Sequence, residues 1–136
     1  MSNSLPAVGQ TASRSFVADE ATVRAFSALS HDHNPVHVDD EYAARSRFGQ
    51  RIAHGMLMGI FISAVLGNDL PGPGAIYLGQ TLTFRAPVYI ADAVTVMVEV
   101  TAVRADKRIV TLRTDVTKAD GTLAVTGEAT LMLLEE

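Results

Sequence analysis

The chain of 136 residues contains no cysteine, which removes a disulfide framework, a thiolate nucleophile and a cysteine-ligated zinc site at once. That absence suits a reducing cytoplasm. Positive charge is in deficit, with 11 Lys and Arg against 15 Asp and Glu and a net charge of -4, so nucleic acid is not an expected partner. A membrane-spanning run is missing as well. The most apolar stretch, Met56 to Leu66, is too short to cross a bilayer. Residues 1–13 are polar and lack the apolar segment of a signal peptide, so the expected location is cytoplasmic, with no membrane partner. Neither an internal repeat nor a low-complexity segment interrupts the chain. With 48% hydrophobic and 19% charged residues, residues 1–136 read as a single domain long enough for one core.

What is present divides into a helical first half and a strand-rich second half. Thr11 to Ala18 is short and weakly β-like, and Asp19 then offers an N-cap three residues before Thr22. Val23, Phe26 and Leu29 recur at helical spacing and predict an amphipathic helix. Asp39 to Arg45 predicts a short helix with acids at its positive end, followed by a loop around Phe48 and Gly49. Met56 to Leu66 is apolar on every side, which predicts a helix buried all round. Its methionines are most simply core filler. Pro71-Gly72-Pro73-Gly74 breaks the chain. Beyond it, strands are expected at Ile76 to Phe84, Val94 to Val103, Arg108 to Thr117 and Leu123 to Leu133, with turns at 105–107 and 119–121. The fold class is therefore α+β: an antiparallel sheet wrapped around a central helix. Apolar residues on both strand faces point to a second copy of the chain as a partner.

The densest chemistry lies in Ser30-His31-Asp32-His33-Asn34-Pro35-Val36-His37. Eight residues that include a carboxylate, three imidazoles and a carboxamide are costly to bury without partners. Pro35 stiffens the loop and pushes Asn34 toward an extended conformation, so an upstream helix ends before it. Asp32 and His37 are then presented from one turn. A second cluster, Ile52-Ala53-His54-Gly55-Met56, marks the start of the apolar helix. Gly55 there offers a backbone N–H with helix-dipole support and no side chain to block a ligand, although it also reads as a packing glycine.

The run Phe26 to His37, followed by Ala43, resembles the hydratase-2 motif of the MaoC-like family, nearest to the short (R)-specific enoyl-CoA hydratases. Ala53-His54-Gly55-Met56, Tyr77-Leu78-Gly79-Gln80 and Phe84-Arg85-Ala86-Pro87-Val88 extend the likeness over nearly the whole chain. His31 stands where that family usually has glycine. The resemblance implies a single hot dog fold, a homodimer, and hydration of trans-2-enoyl-CoA to (R)-3-hydroxyacyl-CoA. No cofactor and no metal are expected. It implies that Asp32 and His37 are the catalytic dyad. It aligns Ser63 with an active-site serine and places Arg85 near the site, where it would meet the phosphates of CoA; Lys107 and Arg108 are weaker choices.

The chemistry suits the same residues. Hydration of an activated double bond needs a base for water, a proton for the α-carbon and a donor for the thioester oxygen. Asp32 and His37 can hold one water between them, Gly55 can meet the oxygen, and Asn34 can orient the loop or the dyad. His54 and Ser63 are further substrate-binding candidates, Ser63 with the alternative of bonding a carbonyl one turn back. His31 and His33 read as exposed neighbours. Leu66, three residues beyond Ser63, and Leu131, on the strand face with Gly127 and Ala129, are expected to end an acyl tunnel early and favour short chains.

Two rivals remain. His31, Asp32, His33 and His37 are a possible zinc or iron set, disfavoured because alternate residues in a short loop point apart. A 3-hydroxyacyl-carrier-protein dehydratase, an acyl-CoA thioesterase or a non-catalytic thioester-binding module is possible on the same fold; the intact dyad speaks against the last.

Overall fold

The computed structural model describes residues 4–135; residues 1–3 and 136, the ends of the expected domain, lie outside it. The order is β1 (Thr11–Val17), α1 (Glu20–Ser30), α2 (Pro35–Val38), α3 (Asp40–Arg45), α4 (Gly55–Asn68), β2 (Ala75–Gln80), β3 (Thr83–Phe84), β4 (Ala93–Arg104), β5 (Ile109–Lys118) and β6 (Leu123–Leu133). The strands form one antiparallel sheet in the order β1-β4-β5-β6-β2, with β3 also paired to β6. This is the hot dog arrangement, a sheet curved over one helix.

Alternation in β4 fixes which way the sheet faces. Val94, Val96, Val98 and Val100 are all buried, while the residues between them point away from the core. Against that face α4 packs Leu57, Met58, Phe61, Ile62, Val65 and Leu66, each worth about 1.5–3 kcal/mol when fully buried. Phe61 stacks on Phe16 of β1 with centroids 4.4 Å apart. At the far end of α4, Arg14 of β1 makes a two-pronged bond to Asp69, at 2.6 and 2.9 Å. No described helix is long and apolar enough to cross a membrane.

Four expectations need correction. The helix α4 is not buried all round: Met56 is 58% and Ile60 46% exposed, and Ser63 lies on that open face rather than on the buried one. Its apolar composition does not reveal that this chain covers only one side. In α1 the buried positions are Val23 and Ser27, four residues apart on one face, whereas Leu29 is off that face and exposed. The strand expected over 76–84 is two strands, with an irregular register between Tyr77 and Gly79. Finally, Pro35 opens a helical turn, α2, at the position where a missing N–H costs nothing.

Close approach explains one glycine. A Cβ on Gly127 of β6 would lie 1.9 Å from the carbonyl oxygen of Thr81, so the chain can cross there only with a hydrogen at that point.

Candidate active site

The site is assembled where α1, α2 and the start of α4 meet. Asp19 caps α1 through a 2.8 Å bond from the Thr22 N–H, and α1 ends at His31, whose φ of 64° is the left-handed conformation that glycine otherwise supplies. The chain then turns back over α1. Ser27 donates its hydroxyl proton to the Asp32 carbonyl at 2.7 Å and accepts from His33 Nδ1 at 2.8 Å. His54 Nε2 donates to the same carbonyl at 3.1 Å. Two donors therefore fix the backbone of Asp32.

The side chain of Asp32 is exposed to the cleft, and its Oδ1 accepts the Asn34 N–H at 3.1 Å. Asn34 in turn caps α2, its Oδ1 facing the Val36 N–H at 3.4 Å. His37, buried, follows one turn into α2. Its Nδ1 is 2.7 Å from the carbonyl oxygen of Ile52. A carbonyl only accepts, so Nδ1 carries a proton, and in the neutral ring Nε2 is the nitrogen with the lone pair that a base needs.

A carboxylate oxygen of Asp32 and one ring nitrogen each of His37 and His54 lie within 4.8 Å of one another. A water bonded to two groups at about 2.8 Å each bridges that span. The four loop residues weighed and disfavoured as a metal set are not the ones brought together. His33 is bonded to Ser27, and the third group near Asp32 and His37 is His54 rather than His31.

His54 lies 2% exposed, between the rings of His37, at 3.9 Å, and Phe26, at 4.6 Å. Burial above all holds its pKa below the ordinary 6.5. Its Nδ1 is the one buried side-chain polar atom without a partner among the described residues. His54 also precedes α4 without a side-chain cap, and only its carbonyl meets that first turn, accepting the Leu57 N–H at 3.1 Å. Gly55 starts α4, and a Cβ on it would come 2.7 Å from the Phe84 ring.

The bonds Ala53 N–H to Val88 O and Ile90 N–H to Arg51 O tie this helix start to the segment after β3. Together these parts enclose a cleft of about 700 Å³. Asp32, His37, His54, Gly55 and Arg85 all line it, with Met58 and Val125 as its inner wall. Asn34 is bonded to its rim. Ser63 lines a separate groove with Met56, Ile60, Tyr77 and Gln80, and Met56 is common to both. Leu66 and Leu131 lie in the core and line neither. Lys107 and Arg108 occupy the β4–β5 turn, also outside the lining.

Sequence reasoning missed Arg51. At 8% exposure it bonds Asp40 at 2.7 Å, the carbonyl of His37 at 3.3 Å, and Glu20 in a short ion pair. Arg24 bonds the same Glu20 and, at 3.0 Å, the carbonyl of Val38. The two cations lower the Glu20 carboxyl to about 2. They clamp the end of α2, and with it His37, between α1 and α3. An arginine next to an apolar helix start was the available signal.

A sheet curved over one helix, with Asp32 and His37 at one cleft, is a hot dog fold. The MaoC like domain family matches residues 4–122, and the chain belongs to that family. It is similar to the (R)-specific enoyl-CoA hydratase of Aeromonas caviae, 52% identical over 126 residues that cover 93% of this chain and 94% of the relative. The solved (R)-hydratase of A. caviae, described as involved in PHA biosynthesis, superposes with a TM-score of 0.92 at 50% identity over 95% and 98% of the two chains. An R-hydratase from Pseudomonas aeruginosa gives 0.91 at 46% identity, over 96% of this chain and 84% of that one.

Proposed function

We propose that the protein is an (R)-specific enoyl-CoA hydratase acting on short-chain trans-2-enoyl-CoA. The observation that carries this reading is that His37, its Nδ1 proton held by the Ile52 carbonyl, has a ring nitrogen within 4.8 Å of an Asp32 carboxylate oxygen at the same cleft. Water held between them gives its oxygen to the β-carbon and a proton to the dyad. The dyad returns a proton to the α-carbon, so the atoms balance. Charge that develops on the thioester oxygen meets the Gly55 N–H at the start of α4. The name of the A. caviae relative supports the substrate class.

The acyl chain would run from Gly55 along α4, over Met56 toward Ser63. Leu66 and Leu131 would then set its length from behind. The open face of α4, with Met56, Ile60 and the exposed Leu78 of edge strand β2, supports a homodimer as the state in which that groove is covered. Sedimentation at low micromolar concentration should find dimer; monomer alone would remove this part of the reading.

Loss of enoyl absorbance from crotonyl-CoA, with chiral analysis of the product, tests the function. (R)-3-hydroxybutyryl-CoA is expected. Release of free CoA thiol without hydration would instead establish a thioesterase.

A further inference from the structure

Two arginines line the cleft. Arg47 and Arg85 both line it, both are exposed, and among the described residues neither forms an ion pair. In a chain of net charge -4 most cations are paired: Arg14, Arg24, Arg51, Arg104, Arg113 and Lys118 each meet an acid within 4 Å. Arg45 and Lys107 form no ion pair among the described residues either, but they do not line the cleft.

The turn that bears Arg47 is also built rather than loose. Ser46 donates its hydroxyl to the Ala43 carbonyl at 2.6 Å and accepts the Phe48 N–H at 3.2 Å. Gly49 closes the turn at φ 72°, bonded to the Ser46 carbonyl at 3.1 Å. The Arg47 guanidinium lies 4.9 Å from the centre of the Phe48 ring, which limits its motion without neutralising it. Arg85, which lines the cleft from the segment after β3, has its backbone N–H bonded to Ala124 O at 2.8 Å.

On the reading of the site given above, we infer that Arg47 and Arg85 form a clamp for the nucleotide phosphates of CoA, with Arg47 a specificity residue for the free CoA thioester. Guanidinium groups suit this ligand because they stay charged and present several N–H donors to phosphate oxygens. A pantetheine thioester without phosphate presents nothing for them to hold. A carrier protein presents a single phosphodiester and no nucleotide.

Hydration of crotonyl-CoA and of crotonyl-pantetheine should be compared in the wild type, Arg47→Ala, Arg47→Lys and Arg85→Ala, with 3',5'-adenosine bisphosphate as a competitor. Loss of either arginine should lower kcat/KM for the CoA thioester about tenfold more than for the pantetheine thioester, through KM. The bisphosphate should compete in the wild type and more weakly in both alanine variants. Arg47→Lys should recover part of the loss, and added salt should narrow the gap between the two thioesters. Equal losses on the two substrates, or no competition by the bisphosphate in the wild type, would overturn the clamp. If neither thioester is hydrated, the function fails instead. Calorimetric titration of the bisphosphate into wild type and Arg47→Ala then decides the clamp alone: tighter binding by the wild type supports it, and equal or absent binding overturns it.

Discussion

The imidazoles of His37 and His54 stack with centroids 3.9 Å apart and planes inclined by 28°. Two cations cannot share that contact cheaply, and burial already disfavours a proton on His54. For folding, the sign follows from a depressed histidine pKa: the unfolded chain binds a proton near pH 6.5 that the folded chain refuses. Stability should fall as pH drops below about 6.5, and His54→Gln should flatten that fall. Urea midpoints at pH 7 and pH 5 measure it; equal pH dependence in the two proteins would contradict the assignment.

Glu20 gives the second dependence on acid. Its folded pKa is about 2, against an ordinary 4.5, because Arg51 and Arg24 hold the carboxylate. That stabilisation is complete above pH 4.5 and disappears as pH falls through about 2. Glu20→Gln should be less stable than the wild type at neutral pH and should converge with it only as pH falls through about 2. Melting curves across this range check it.

Much of this architecture could be read locally. Asp19 as a cap, the valines of β4 and the turn at Gly121 each depend on neighbours within a few residues, and all three stand as expected. The Asp32 and His37 pair was legible because Pro35 lies between them in one short segment. Arg51 was not, since its partners Glu20 and Asp40 are 31 and 11 residues away. The open face of α4 was missed because hydrophobicity reports a wish for cover without saying which chain supplies it. Arg47 was passed over because a lone surface arginine looks alike whether or not an acid lies nearby.

Gly127→Ala should be among the most damaging single substitutions. The added methyl group would meet backbone at Thr81, which cannot rotate away as a side chain can. A loss of about 3 kcal/mol or more is expected. Unfolding in urea gives the number, and a near-wild-type midpoint would mean that β3 and β6 can separate freely.

Leu66→Ala and Leu131→Ala test the proposed control of chain length. Both leucines are fully packed, so each change should cost about 2–5 kcal/mol. Activity on eight-carbon enoyl-CoA should rise relative to crotonyl-CoA. Lost stability with an unchanged substrate profile would return both leucines to a purely structural role.

The most direct test of the mechanism is a cycle of kcat/KM values for crotonyl-CoA hydration, comparing wild type, Asp32→Asn, His37→Gln and the double variant. Each single change should cost about 10²–10⁴ with the fold intact. Because both groups act on one water, the double variant should be little worse than the worse single one. Multiplicative losses, or near-normal turnover in either single variant, would contradict a shared water.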